Sequence, residues 1–309
     1  MKSPSIRHIR SKDAAWQKLE VLKTNRNKRY HYGEFLVEGV RNLNEARRNG
    51  WEFSSLIYPA NVPLSDWAKD LLRTTRTAEN IELPPAFMAE LSEKDETSEI
   101  MAVVKMRPDD AARIRPRGRF APLVALFDRP SNKGNLGTIL RTLDALGADG
   151  LILTGHGVDL YDPEVVGATM GSFFATPAVR VPRHDDLAAY FDGLRAEYGD
   201  LNVIGTTSHA ADVKGPLWES DLTRPTVFMI GCETDGLSEG LRPFCTEMVT
   251  IPMADTSTAS SFNVACAATV MFYEAVRQRA AGSAGTHGGL TGHRPAQAQP
   301  RRLHKEYEP

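Results

Sequence analysis

The sequence predicts an α/β protein of two domains, the second built on a parallel sheet. Three observations carry this. From Pro122 onward, short continuous apolar runs alternate with helix-length segments, the pattern of strands buried on both faces beneath helices. Before that point, helix-like and strand-like patterns alternate within a shorter stretch. Between the two, residues 107–120 hold two prolines, Pro108 and Pro116, and no hydrophobic periodicity, which reads as a linker. A length of 309 residues suits two domains of about 150 residues each.

The first domain takes residues 1–106. Asp13 can cap a helix whose apolar residues Trp16, Leu19 and Leu22 recur every three positions. Strand-like Phe35-Leu36-Val37 follows, then a polar helix around 42–48 and strand-like Leu56-Ile57-Tyr58. A helix near 65–72, a helical turn after Pro85 and a closing strand at 100–105 complete it. In the second domain, 121–280, the apolar runs lie at 123–127, 151–153, 179–181, 203–204, 227–230 and 249–251. The last long segment, 262–278, is apolar nearly all round through Val264, Ala267, Ala268, Val270, Met271, Phe272, Ala275 and Val276. Such a helix is buried in the core or in a subunit interface. Residues 281–309 are rich in Gly, Ala, Pro and Gln and read as a disordered tail.

Composition excludes several classes. An apolar fraction of 41% with 25% charged residues is neither a disordered chain, a collagen nor a coiled coil. No run approaches the ~18 apolar residues of a membrane span, and the first seven residues lack a signal-peptide core. Cys232, Cys245 and Cys266 are an odd count without a Cys-x-x-Cys, so neither a disulfide framework nor a zinc site is expected. The expectation is a soluble cytoplasmic protein without a membrane partner.

The net charge of −2 hides an asymmetry. Residues 1–48 carry 12 Lys/Arg against 5 Asp/Glu, and residues 101–119 carry 6 against 2, whereas residues 120–280 carry 11 against 20. Cations clustered beside an acidic body suggest a polyanionic partner, since neutralising phosphates releases counterions. The run from Lys23 to Tyr32 also interleaves donors with aromatics able to stack on bases. The alternative, for this run and for Arg113, Arg115, Arg117 and Arg119, is a merely solvated charge.

One tempting motif fails. Gly155-His156-Gly157 starts like a dinucleotide fingerprint, but the third glycine is missing and Pro163 interrupts the helix. Three other loops follow apolar runs. In the first, a helix starting near Asn135 points Leu136, Ile139, Leu140 and Leu143 at the sheet. Arg141 then falls about 140° from Leu136, off the apolar stripe. It faces a neighbour, a cleft or solvent. The second loop, Gly231-Cys232-Glu233-Thr234-Asp235-Gly236, puts an acid at the carboxyl end of a parallel strand, where open α/β sheets bind ligands; a solvated turn is the alternative. The third, 252–263, is rich in small and hydroxylated residues. Ser260 or Ser261 can cap the last helix, while Asn263 is a poor helix former inside its first turn.

Together, in this order, the three loops resemble the signature motifs of the SPOUT superfamily, specifically its SpoU/TrmH-type RNA ribose 2′-O-methyltransferases. Asn135, Gly137 and Arg141 match the first motif. Gly231, Glu233, Gly236, Leu237 and Ser238 match the second, and Ile251-Pro252-Met253 with Ser261-Phe262-Asn263 the third. The resemblance covers residues 122–279. Phe35-Leu36-Val37-Glu38-Gly39 and the 100–105 strand resemble the ribosomal-protein-like RNA-binding module that often precedes this catalytic domain. Cys232 stands where an amide is common, Thr234 where glycine is common, and the 253–261 loop looks longer than in some members.

The resemblance implies a parallel-sheet domain with a trefoil knot, paired as a homodimer through the catalytic domain. It implies S-adenosylmethionine held in the knot, with Gly231, Ile251, Phe262 and Thr206 as contacts and no metal. It places Arg141 beside the ribose hydroxyl of an rRNA or tRNA, with Asn135, Glu233, Ser261 and Asn263 around it. Arginine stays protonated. It either loses a proton transiently or clamps the phosphate and orients the hydroxyl. The rival reading is a catalytically silent RNA-binding protein of the same fold.

Overall fold

Burial on both faces organises the second domain. In the computed structural model, which describes residues 4–117, 120–207 and 213–285, every expected apolar run from 123 onward is a strand. They are β6 (Leu123–Asp128), β7 (Gly150–Thr154), β8 (Ala178–Arg180), β9 (Asn202–Thr206), β11 (Thr226–Ile230) and β12 (Glu247–Thr250), joined by the two-residue β10 (Gly215–Pro216). The sheet order is β10-β12-β9-β11-β6-β7-β8, and every neighbouring pair is parallel. Crossover helices cover its faces: α6 (Lys133–Ala145), α7 (Pro163–Ala168), α8 (Ser172–Ala175), α9 (His184–Tyr198) and α10 (Val264–Gly285). Leu136, Ile139, Leu140 and Leu143 are buried on α6 as their spacing predicts, and Arg141 is exposed.

Within the chain the last helix is buried on one side. Ala265, Ala268, Met271, Phe272 and Ala275 are buried, but Val270 is 40% and Tyr273 60% exposed. The helix runs on to Gly285, so the first residues of the expected tail are helical; residues 286–309 lie outside the described residues, as does Arg119. Near its end Arg279 is buried and donates to the carbonyls of Leu222, Pro122 and Arg224.

The first domain is a five-stranded mixed sheet in the order β1-β4-β3-β5-β2, with β1 (Ser5–His8), β2 (Glu34–Glu38), β3 (Phe53–Pro59), β4 (Glu79–Leu83) and β5 (Met101–Lys105). Its helices are α1 (Ala14–Thr24), α2 (Arg26–Tyr32), α3 (Val40–Arg48), α4 (Asp66–Thr74) and α5 (Pro85–Leu91). Asp13 caps α1 as its sequence position predicts, accepting from Ala15 and Trp16.

The connecting segment is anchored to both domains, with its arginine heads still partly in solvent. Ile114 is buried in the second domain's core. Arg107 lies over the Trp51 ring and donates to Asn49 O; Arg113 donates to Pro108 O, and Arg117 to Ala175 O and Ala148 O. These guanidinium groups satisfy backbone carbonyls. The Lys23-to-Tyr32 run is likewise half structural. Lys23 Nζ donates to Glu90 O and Ser92 O. Arg29, only 2% exposed, reaches Asp159 across the domain boundary at 2.7 Å, and Tyr30 Oη donates to the same carboxylate. Phe35 and Trp51 pack with Tyr161, Phe173 and Phe174, and Trp51 Nε1 donates to Phe174 O. The two domains therefore share one apolar core.

Removing one partner of a buried ion pair strands the other charge, at about 3–5 kcal/mol. Arg29→Met should lower the unfolding free energy by about 3 kcal/mol in a urea titration. A change below about 0.5 kcal/mol, the range of surface substitutions, would show that the pair holds nothing together.

Candidate active site

The site grows from the carboxyl ends of neighbouring strands. After β6 the chain turns through Asn132, whose side chain caps α6 by accepting from Asn135 N–H at 2.9 Å. That cap fixes Asn135 in the first turn, facing the loop that leaves β11. Asn135 Nδ2 donates to Glu233 Oε1 at 3.0 Å. Its own Oδ1 accepts from Asn263 Nδ2 at 3.1 Å. Asn263 uses its remaining oxygen on Ala265 and Cys266 N–H at 2.9 and 3.3 Å. Asn263, rather than Ser260 or Ser261, is thus the N-cap of α10, which explains a poor helix former at that point. Three distant segments meet in one network.

Glu233 Oε2 is held as well. Ser131 donates to it through both N–H and Oγ, at 3.2 and 2.5 Å. Desolvation pushes the carboxyl up, but the hydrogen bonds from Asn135 and Ser131 outweigh it and hold the group below its ordinary 4.5. Glu233 is ionised at neutral pH. Sequence reasoning missed Ser131; a serine ahead of a helix reads as an ordinary turn residue.

Beside this network lies a cavity of about 540 Å³, lined by Thr206, Gly231, Ile251 and Phe262 together with Glu233, Ser261 and Asn263. All four expected cofactor residues share that wall. Gly231 has a specific reason to be glycine: a Cβ there would sit 2.2 Å from the Gly236 carbonyl carbon. The absence of a side chain lets 231–236 fold onto itself, with Cys232 N–H donating to Gly236 O at 3.1 Å and Gly236 N–H to Cys232 O at 3.2 Å.

Arg141 stands apart. It is exposed and makes no hydrogen bond or ion pair among the described residues. It sits six residues beyond Asn135, about 9 Å farther along α6 at 1.5 Å per residue. Its neighbour Thr142 pairs with Thr269 of α10, hydroxyl to hydroxyl at 3.0 Å. The fold thus joins Asn135, Glu233 and Asn263 directly, sets Ser261 in the cavity wall, and leaves Arg141 on the open face.

Comparison with known proteins bears on this geometry. Residues 122–273 match the SpoU rRNA Methylase family model, and residues 13–102 the SpoU L30e-like domain. A Streptomyces viridochromogenes protein named 23S rRNA (uridine(2479)-2′-O)-methyltransferase is 46% identical over 92% of this chain and 97% of its own length. The chain belongs to the SpoU rRNA methylase family. The SpoU methyltransferase AviRb from the same organism, in complex with the cofactor AdoMet, superposes with a TM-score of 0.80 at 45% identity, covering 87% of this chain and 98% of that one. The AdoMet-bound rRNA methyltransferase from Sinorhizobium meliloti gives 0.76 at 26% identity, over 88% and 98%. As a SpoU methylase, the chain carries the family's α/β parallel sheet and an L30e-like domain ahead of it.

The double duty of Asn263 can be dissected. Asn263→Ala loses the cap and should cost about 1 kcal/mol of stability. Asn263→Asp keeps the cap but loses the donor to Asn135, so its thermal midpoint should stay near wild type while methyl transfer falls about tenfold or more. Equal activity in Asn263→Asp and wild type would separate the cap from the site.

Proposed function

We infer that the chain transfers a methyl group from AdoMet to a ribose 2′-hydroxyl of RNA, with 23S rRNA as the substrate. The observation that carries this is the Asn135–Glu233–Asn263 network at the rim of the 540 Å³ cavity. The cavity fits AdoMet on three counts. Its volume lies in the range of about 300–1,000 Å³ typical of small-molecule sites. Ile230, Leu237, Ile251 and Met271 give it apolar walls, and Thr206 and the 231–236 backbone supply polar groups. Glu233 and Asp235 outnumber the one lining cation, Arg242, and leave a net negative charge suited to a cationic ligand. When bound, the sulfonium supplies a methyl group as an electrophile without a metal.

The chain's own residues then have separable tasks. Glu233, held ionised, anchors Asn135 and is too weak a base to draw off the hydroxyl proton at its depressed pKa. Asn135 and Asn263 are fixed donors and acceptors that orient the ribose, and Ser261 offers a hydroxyl from the cavity lining. Arg141, exposed and unpaired among the described residues, is the group available to grip the RNA phosphate; as a guanidinium it clamps rather than accepts a proton, and the hydroxyl proton passes to solvent water. A silent RNA binder would have no need of this assembled network.

Four further readings accompany this. Lys28, Arg41 and Arg76 are exposed and make no ion pair among the described residues, which supports an RNA-binding role for the first domain. The chain passes from β11 over β9 to β12 and returns to pack α10 on α6, which supports the trefoil knot. Free Cys232, Cys245 and Cys266 suit a reducing cytoplasm. Exposed Val270 and Tyr273 support a homodimer that buries the outer face of α10. Sedimentation of the full-length protein at micromolar concentration should give a dimer, and a monomer would contradict that pairing.

The assignment of Arg141 is checked by single-turnover methyl transfer. Arg141→Ala should change stability by no more than about 0.5 kcal/mol, yet slow transfer by at least ~10²-fold. Arg141→Lys keeps the charge without the bidentate fork and should be nearly as slow, with AdoMet affinity preserved. Wild-type rates in either variant would make Arg141 a bystander.

A further inference from the structure

Gly155-His156-Gly157, which fails as a nucleotide fingerprint, packs against the segment that follows β6. That segment, 128–131, grips the 231–238 loop at three points. The buried carboxylate of Asp128 accepts from Ser238 N–H at 2.9 Å and from Thr154 Oγ1 at 3.0 Å. Arg129 Nη2 donates to Gly236 O at 3.1 Å, while its Nε donates to Asp128 at 3.1 Å. Ser131 donates twice to Glu233. The same Gly236 carbonyl closes the 231–236 turn by accepting from Cys232.

Arg129 makes its contact from left-handed backbone, at a φ of 49°, which side-chain-bearing residues avoid. Such a conformation persists only where its surroundings over-determine it, and it collects at functional sites. Here the surroundings are the two glycines. A Cβ at Gly155 would lie 2.5 Å from Arg129 Cγ, and one at Gly157 would lie 2.6 Å from Pro130 O. Val158 N–H also donates to Pro130 O at 2.8 Å. The motif makes room for the Arg129 side chain and the Pro130 carbonyl.

We propose that Arg129 is a positioning residue for the methyl donor: with Asp128 and Ser131 it clasps the 231–238 loop and holds that wall of the cavity in its binding shape before ligand arrives. The proposal rests on reading the cavity as the AdoMet site. A wall that is already ordered loses less conformational freedom on binding, so affinity depends on the clasp without Arg129 touching the ligand.

Calorimetry with AdoMet on the full-length protein compares wild type with Arg129→Gly, Arg129→Ala and Ser131→Ala. Arg129→Gly is the safest for folding, because glycine accepts the left-handed backbone without strain. Both Arg129 variants should bind AdoMet at least about tenfold more weakly, and Ser131→Ala measurably more weakly. RNA affinity should stay at the wild-type value in all three; the Arg129 variants leave the buried Asp128 carboxylate with Ser238 N–H and Thr154 Oγ1 as its donors, so their thermal midpoints fall without carrying RNA binding with them. AdoMet affinity within about twofold of wild type for both Arg129 variants, against the tenfold loss expected of a broken preorganising contact, overturns the clasp. So does a joint loss of AdoMet binding, RNA binding and thermal stability, which a general structural role would give. Wild-type protein that fails to bind AdoMet overturns the reading of the cavity and the clasp with it, whereas losses confined to the variants bear on the clasp alone.

Discussion

The hydrogen bonds of the Glu233 carboxylate tie together the loops that the second domain's sheet brings to one place. One oxygen accepts twice from Ser131 and the other accepts from Asn135. Asn135 then has an amide oxygen left, which takes the amide of Asn263. The segments meet only at the carboxyl edge of a parallel sheet in which β6 and β11 are neighbours, the edge at which such sheets gather their ligand loops. A register or order that separated those strands would leave the Glu233 carboxylate to water and part the loops that it joins.

The parallel strands were legible because burial on both faces writes itself as a continuous apolar run. Two edge strands leave no such mark: all four residues of β1 are exposed, and β10 is two residues including Pro216. Candidate site residues were legible only as a resemblance of three spaced loops. Spacing alone left Arg141 as a surface arginine and Glu233 as a turn. The α10 cap was placed two or three residues early because Ser260, Ser261 and Asn263 are all good caps; what selects Asn263 is its second bond, to a residue 128 positions away.

Arginine misled the sequence reading most. A run of arginines reads as solvated charge or as a phosphate surface, yet Arg107, Arg113 and Arg117 cap backbone carbonyls, and Arg29 meets an aspartate 130 residues away. Five N–H donors on a planar head make such bonding feasible, for an exposed Arg117 as for a buried Arg29, and nothing local announces it. The result is a joined pair of domains in place of two tethered ones. Lys28 and Arg41 thus stand in fixed relation to the cavity.

The central claim is that Asn135 and Glu233 act as one unit in methyl transfer. A double-mutant cycle in single-turnover transfer, with Asn135→Ala, Glu233→Ala and the pair, tests it most directly. Residues acting as a unit are strongly non-additive. Each single variant should lose about 10²-fold, and the double variant should be only about threefold worse than either. Multiplying losses, near 10⁴-fold in the pair, would contradict the account.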